Sequence, residues 1–489
     1  MGNWDYTGHP LVDVGLATLT AFARKRHPRQ LTQEDLRTAA QYMAANYVVE
    51  PLKSFLTVAF PNSGFTQPAY NRAPQKRRIY AQKVLVAPLD AETTREFDPL
   101  TGQRAVHLPL DIKDQLPPGR AYRQHVPLLT REGVINFFPY GDAGLPVSAM
   151  TLLAIQALPL GCAKVGGRLL ALHSDDPDLL LRFARTFLQT NLQNIQAAQA
   201  AGDTKLPDTS PRRPRTLLVE HLEHALRERA RNKGAAFPPS VTGYYFTNRG
   251  KEAEIVIFPL PLEVSDFLRA VQHPAYREAW NALVQRGWEG AYARKRTRRT
   301  SPPRYNRLYE ELFALPDQAA AFIRRYFLRR RARRIWDKRD PTQYYDPRQE
   351  AHLISWPLTQ LFLRKVVRMD QERIEHIRAL GDALAEYIIR HNDARFLHQL
   401  LLSRAYAPLR MLLLRASYRE IRRGRPPLVT LERFLAVFEQ DEGIPRSDWR
   451  LGRDLVFIRL FEQLHANGWL QQHLEVLSDL DDTDEVTDE

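Results

Sequence analysis

The chain is 489 residues long, 44% hydrophobic and 26% charged, a balance ordinary for globular proteins that excludes disorder as the default class and leaves room for two or three domains. Its formal net charge of +14 understates its basic character, because residues 478–489 hold seven carboxylates and no base; the remainder carries +21 and calls for a polyanionic partner. The single cysteine, Cys162, excludes an intrachain disulfide and a multi-cysteine zinc cluster, while the polar first residues and the lack of any apolar run near the roughly 18 that a span needs point to a cytoplasmic protein with no signal peptide and no membrane segment.

In chain order, Thr32 with Asp35 three residues on predicts a capped helix start, with Leu36, Ala39, Tyr42 and Met43 following at helical spacing. Residues 52–60 and 79–87 read as strands, and 61–75 and 90–119, rich in Pro, Gly, Asn and Asp, read as loops. Two further strands are predicted over 134–140 and 165–173, around a short apolar helix over 148–158. A long helix then starts at its cap Asp176, takes Pro177 in its first turn, and carries Leu181, Ala184, Leu188, Leu192 and Ile195 as one stripe up to Gly202. After a linker over 203–214, residues 240–247 and 252–259 predict a hairpin with Asn248-Arg249-Gly250 in the turn.

From about residue 351 the pattern is helical almost throughout. Ile374, Ile377, Leu380, Leu384 and Tyr387 form one stripe; Leu397, Leu401, Ala405, Leu409 and Leu412 form another; shorter segments begin near Thr430 and Ser447. No fixed-period repeat occurs, which argues against a solenoid. The expected fold class is α+β: a mixed α/β N-terminal domain over 1–345, an all-α helical bundle over 350–477, and an acidic tail over 478–489 that is expected to be disordered and alone is of low complexity.

Nine bases fall within sixteen residues at Arg324, Arg325, Arg329, Arg330, Arg331, Arg333, Arg334, Lys338 and Arg339, with Phe322, Tyr326, Phe327, Ile335 and Trp336 among them. A phosphate backbone would relieve their mutual repulsion and release counterions, and the excess of Arg over Lys favours forked phosphate contacts. A solvated, salt-bridged helix face or a membrane-surface helix would carry the same charges. A second run, Arg294, Lys295, Arg296, Arg298 and Arg299, reads as a loop that either orders on nucleic acid or serves as a solvated linker. At the hairpin, Asn248, Arg249 and Lys251 beside Tyr244, Tyr245 and Phe246 combine a base-edge reader with stacking surfaces, or else form a plain turn.

Enzyme signals are poor. His221, Glu223 and His224 have helical spacing but no evident third metal ligand, and the run from His173 to Asp176 holds hydrolase-like residue types too close in sequence to form a triad. No phosphate loop, dinucleotide fingerprint, zincin helix or nucleophile elbow is present, so no catalytic residue, cofactor or metal is expected.

The most informative segment runs Gly133-Val134-Ile135-Asn136-Phe137-Phe138-Pro139-Tyr140-Gly141-Asp142-Ala143-Gly144 and on through Ala154-Ile155-Gln156-Ala157-Leu158-Pro159-Leu160-Gly161. With the opening Trp4-Asp5-Tyr6-Thr7-Gly8-His9-Pro10-Leu11-Val12-Asp13-Val14-Gly15, it resembles the large subunit of type I-B CRISPR surveillance complexes (Cascade), in the Cst-type family. The resemblance covers residues 4–22 and 130–176, and less specifically 244–264 and the C-terminal helices. It implies a non-enzymatic antiviral-defence subunit that binds DNA and guide RNA (crRNA). Such a subunit recognises the protospacer-adjacent motif in target double-stranded DNA, separates the strands and stabilises the R-loop, while guide pairing reads the sequence.

The implied partners are the backbone, handle-binding and small subunits of the complex, and a helicase-nuclease or transposition proteins. In this family a small subunit can arise by translation from an internal start; Met369 stands before the first long bundle helix, and Val366 and Val367 are alternative starts. Some relatives carry paired CxxC motifs, and this chain has none, so no zinc is carried over. A nuclease with an unrecognised site and a basic scaffold that binds proteins through the bundle are the rival classes.

Overall fold

The computed structural model describes residues 4–111, 116–129, 143–231, 237–248, 253–288, 304–330, 340–441, 443–473 and 475. Proline and a buried acid set the first helix. His9 caps α1 (Pro10–Phe22) by accepting the Val12 amide on Nδ1 at 3.4 Å. One turn on, the buried Asp13 carboxylate accepts the Thr7 amide at 2.7 Å, the Thr7 hydroxyl at 2.9 Å and the Gly8 amide at 2.9 Å. A buried carboxylate needs such donors, and these fold the segment before α1 back onto the helix. The helix α2 (Gln33–Asn46) opens on the expected capping box of Thr32 and Asp35.

Two expected strands are helical instead. Residues 52–60 form α3 (Leu52–Phe55) and a 3-10 turn, Leu56–Val58. Residues 79–87 continue α4 (Pro74–Ala81) through a π turn, Gln82–Val86. Their buried residues explain the outcome: Leu52, Phe55, Leu56 and Ala59 in the first, and Tyr80, Ala81, Val84 and Leu85 in the second, recur with a period near four, while Ile79 faces solvent. The stretch expected to be loop contains the short antiparallel pair β1 (Thr93–Phe97) and β2 (Arg104–Val106). A second small pair joins β3 (Arg120–Ala121) to β4 (Leu145–Pro146), and residues 134–140 lie outside the described residues.

Ser148 caps α5 (Ala149–Ala157), which runs into a 3-10 turn, Leu158–Gly161. A four-stranded antiparallel sheet follows, in the order β5 (Ala163–Val165), β6 (Arg168–Ser174), β7 (Val241–Thr247), β8 (Glu254–Leu260). Between β6 and β7 lie α6 (Pro177–Ala201) and α7 (Pro214–Arg231). As the sequence predicts, α6 is capped by Asp176 and ended by Gly202 in the left-handed region at φ 71°. The buried core gathers α1, α2, α5, α6 and the inner side of β6, with α1 enclosed on every side over its middle.

That enclosure requires glycine. A Cβ on Gly15 would stand 2.0 Å from the Ala154 carbonyl oxygen of α5, and one on Gly161 would stand 1.8 Å from the Thr18 hydroxyl of α1. At Gly15 backbone therefore meets the backbone of α5, and at Gly161 it meets the Thr18 side chain of α1.

The chain divides into two compact units: Met1–Leu262 with Pro302–Arg304, and Glu263–Ser301 with Tyr305–Glu489. The division falls earlier than the boundary near residue 345 expected from composition. An aromatic core accounts for this, since Phe267 packs on Trp280 at 5.2 Å and on Phe362 at 5.4 Å, and Phe322 stacks on Phe362 at 5.3 Å. The second unit begins with α8 (Leu262–Ala270), α9 (Pro274–Trp288), α10 (Arg307–Glu311), α11 (Ala319–Phe322), α12 (Pro347–Glu350) and α13 (Trp356–Phe362). It continues through α14 (Gln371–His391), α15 (Ala394–Leu402), α16 (Tyr406–Arg422), α17 (Leu431–Phe438), α18 (Trp449–Ala466) and α19 (Trp469–Gln472).

The α14 stripe is buried as expected, but the second expected stripe is split between α15 and α16. Pro408 in the first turn of α16 cannot donate to the turn before it, so the helix restarts there. With mostly helical content and small antiparallel sheets, the fold class is α+β. The close approach of α1 to α5 yields a direct expectation. Gly15→Ala and Gly161→Ala each destabilise the full chain by about 1–3 kcal/mol through overpacking, read as a lower urea midpoint, whereas unchanged midpoints would contradict the packing.

Candidate nucleic-acid interface

The expected hairpin forms, with Tyr245 paired to Val256 and Phe246 to Ile255. Its described candidate residues, Tyr245 and Asn248, are however engaged within the protein. The Tyr245 hydroxyl donates to the Val165 carbonyl at 3.0 Å, its ring stacks with Phe258 at 29°, and the Arg168 guanidinium lies 5.5 Å from its centroid. Burial raises the pKa of that hydroxyl.

Asn248 is the clearest correction. It is 0% exposed; its side-chain amide donates to the Ala59 carbonyl at 2.8 Å and the Arg123 carbonyl at 3.0 Å, and its carbonyl oxygen accepts from Arg123 Nε at 3.0 Å. Its own amide donates to the Val58 carbonyl at 2.8 Å. Rather than reading a base edge, this side chain pins the end of β7 to the turns at 56–59 and 122–125. Arg249 and Lys251 lie outside the described residues, as do Arg294, Lys295, Arg296, Arg298 and Arg299. So do residues 130–142, which hold most of the signature; Gly144, which follows, takes φ 75° with its Cβ position against Arg120.

The arginine run is likewise turned inward where it is described. Arg324 Nε donates to Asp454 Oδ2 at 2.9 Å, and Arg325 pairs with Glu311. Arg329, expected on phosphate, is 0% exposed: it bonds Glu350 through Nη2 at 2.7 Å and Nε at 3.1 Å and lies 3.6 Å from the Tyr345 ring centroid. The backbone itself makes this turn, with Arg329 in the left-handed region at φ 60° and the Arg330 amide donating to the Arg324 carbonyl at 3.0 Å. Burying a guanidinium is tolerable only with such pairing, so these groups hold the second unit together. Arg331, Arg333, Arg334, Lys338 and Arg339 lie outside the described residues.

An exposed basic face exists elsewhere, on α16. Leu409, Leu413, Ala416 and Glu420 are its buried side. On the opposite side Met411, Leu414, Arg415, Tyr418, Arg419 and Arg422 face solvent, with Tyr418 62% exposed. Among the described residues no acid pairs with Arg415, Arg419 or Arg422, which follow one another at i, i+4 and i+7. Beside them the buried Glu420 is shared by three arginines, Arg390, Arg423 and Arg425, each at 3.4 Å, and meets His391 Nε2 at 2.8 Å. Burial opposes ionisation of Glu420, but the hydrogen bonds and charges of His391 and Arg425 outweigh it and hold its pKa below the ordinary value. Arg390 also pairs with Glu386, so two carboxylates face three guanidinium groups here, and this end of α16 keeps a positive excess. The spacing of its arginines is visible in the sequence; their exposure is not, because Leu412, Met411 and Leu414 read equally well as core.

The enzyme-like groups do not converge. His221 packs edge-on against Phe187 at 4.9 Å, where burial lowers its pKa to about 4, while the exposed His224 pairs with Glu228 at 3.3 Å. His173 Nε2 faces Asp13 Oδ2 at 3.4 Å, and Asp176 is occupied by the α6 cap and by a two-pronged bond from Arg229. Among the described residues no three His, Cys, Asp or Glu side chains cluster as a metal site, and no helix is long and apolar enough to cross a membrane. Comparison with family models, with curated proteins and with solved structures returns no match.

Asn248→Ala leaves the Ala59 and Arg123 carbonyls and Arg123 Nε without their partner, which costs about 2–3 kcal/mol of stability. The variant is expected to show a lower denaturation midpoint with unchanged nucleic-acid affinity per folded molecule; a native midpoint with selectively lost duplex binding would restore the base-reading role.

Proposed function

We propose that the chain is the non-catalytic large subunit of an RNA-guided CRISPR surveillance complex of the type I-B, Cst-type kind, working in the cytoplasm. It recognises the protospacer-adjacent motif in duplex DNA, helps to part the strands and stabilises the R-loop by arginine contacts to phosphate. The observation that carries the binding half of this reading is the exposed face of α16, where Arg415, Arg419 and Arg422 stand around Tyr418 without an acid partner among the described residues. Cations at successive helical turns suit successive phosphates, and an exposed aromatic among them suits an unpaired base.

Two further features support the reading. Within the described part of the two zones that carry the family resemblance, 4–22 and 130–176, Gly15 packs against Ala154 and Gly161 against Thr18. The edge strand β8 exposes Ile255, Val256 and Ile257, the type of apolar edge that a partner subunit covers. Guide RNA, target DNA, the backbone, handle-binding and small subunits, and a helicase-nuclease or transposition machinery are the partners this reading assigns.

Salt dependence tests the phosphate role. Arg415→Gln, Arg419→Gln and Arg422→Gln together are expected to weaken binding of a single-stranded oligonucleotide about tenfold or more and to lower the slope of log affinity against log salt by about 2, since each lost contact removes about 0.7. An unchanged slope in the folded triple variant would exclude α16 as a phosphate-binding face.

A further inference from the structure

We propose that the acidic segment 476–489 docks on the arginine face of α16. The proposal rests on the reading of α16 as a surface for polyanions, and it identifies an occupant within the chain itself. Residues 478–489 hold Asp479, Asp481, Asp482, Asp484, Glu485, Asp488 and Glu489 without a single base. The face opposite them in charge carries Arg415, Arg419 and Arg422, and next to these Arg423 and Arg425, which share Glu420 with Arg390 and His391. The match extends to apolar groups: Val476, Leu477, Leu480 and Val486 alternate with the acids, as Met411, Leu414, Tyr418 and Ile421 alternate with the arginines.

The place where this segment leaves the fold supports the assignment. Trp469 of α19 donates from Nε1 to Asn392 Oδ1 at 2.9 Å and stacks on His473 with centroids 4.0 Å apart. Asn392 follows His391, the residue whose ring meets Glu420 of α16 at 2.8 Å and receives Arg423 Nη1 at 3.0 Å. The helix α19, which precedes residue 475, is therefore tied to the same end of α14 that meets Glu420 of α16. Fourteen extended residues reach up to roughly 50 Å, while the 17-residue α16 is about 25 Å long, so the segment can run the whole face. Tethering supplies an effective concentration near the millimolar range, so a weak intrinsic affinity suffices for occupancy. The segment would then screen α16 from adventitious polyanions and yield to a nucleic acid that is held by many other contacts.

Two measurements test this. A fluorescein-labelled peptide of residues 476–489 should bind the chain stopped after Glu475 at low salt, and lose most of that binding in the Arg415→Gln, Arg419→Gln, Arg422→Gln variant, whose melting temperature serves as the check on folding. Removing 476–489 should tighten binding of oligothymidylate about three- to tenfold in the native-arginine chain and hardly at all in the triple variant. Absence of peptide binding, equal peptide binding to the triple variant, or equal tightening in both backgrounds would overturn the proposal. If the triple variant loses the peptide yet keeps its oligonucleotide affinity, docking of the segment is upheld and the reading of α16 as a nucleic-acid surface is what falls.

Discussion

The contact of α1 with the backbone of α5, at Gly15 and Ala154, is the constraint from which the first unit is built. A helix buried all round needs neighbours close on every side, and side chains alone would hold them too far apart. Once α1 lies against α5, its Asp13 can gather the preceding segment and face His173 on β6, and α6 can close the other side. The sheet that carries the hairpin is thereby referenced to α1, and Asn248 fixes the end of β7 to the turns beneath it.

Charge is handled differently in the described parts of the two arginine-rich helical segments. At 324–329 the guanidinium groups reach Asp454, Glu311 and Glu350, and one of them is wholly buried under Tyr345. Such pairs trade desolvation against attraction and leave little charge for a partner. On α16 the acids are missing from the outer face, and the one acid on the inner face is already shared by three arginines and His391.

Much of the fold was legible in the sequence where local chemistry is decisive. The Thr32 and Asp35 box, the Asp176 cap with Pro177 and Gly202, the hairpin strands and the α14 stripe all stand where their residues put them. Residues 52–60 and 79–87 are ambiguous in sequence because short apolar runs fit a strand or a buried helix equally well, and only the packing of Leu52, Phe55, Tyr80 and Val84 selects the helix. The candidate site was less legible. Burial of Asn248 and Arg329 depends on partners more than 20 positions away, Ala59 and Arg123 for the first and Glu350 for the second, which no local pattern reveals. The division of the chain at Leu262 was hidden for the same reason, since Phe267, Phe322 and Phe362 meet only in three dimensions.

The central claim, that this basic α+β chain serves an RNA-guided complex, is tested most directly by co-expressing it, tagged, with its native gene neighbours and sequencing the RNA that co-purifies. The account predicts a uniform guide RNA of repeat-derived sequence, recovered together with partner subunits. Bulk cellular RNA, or none, would contradict it and leave a basic binding protein of another kind.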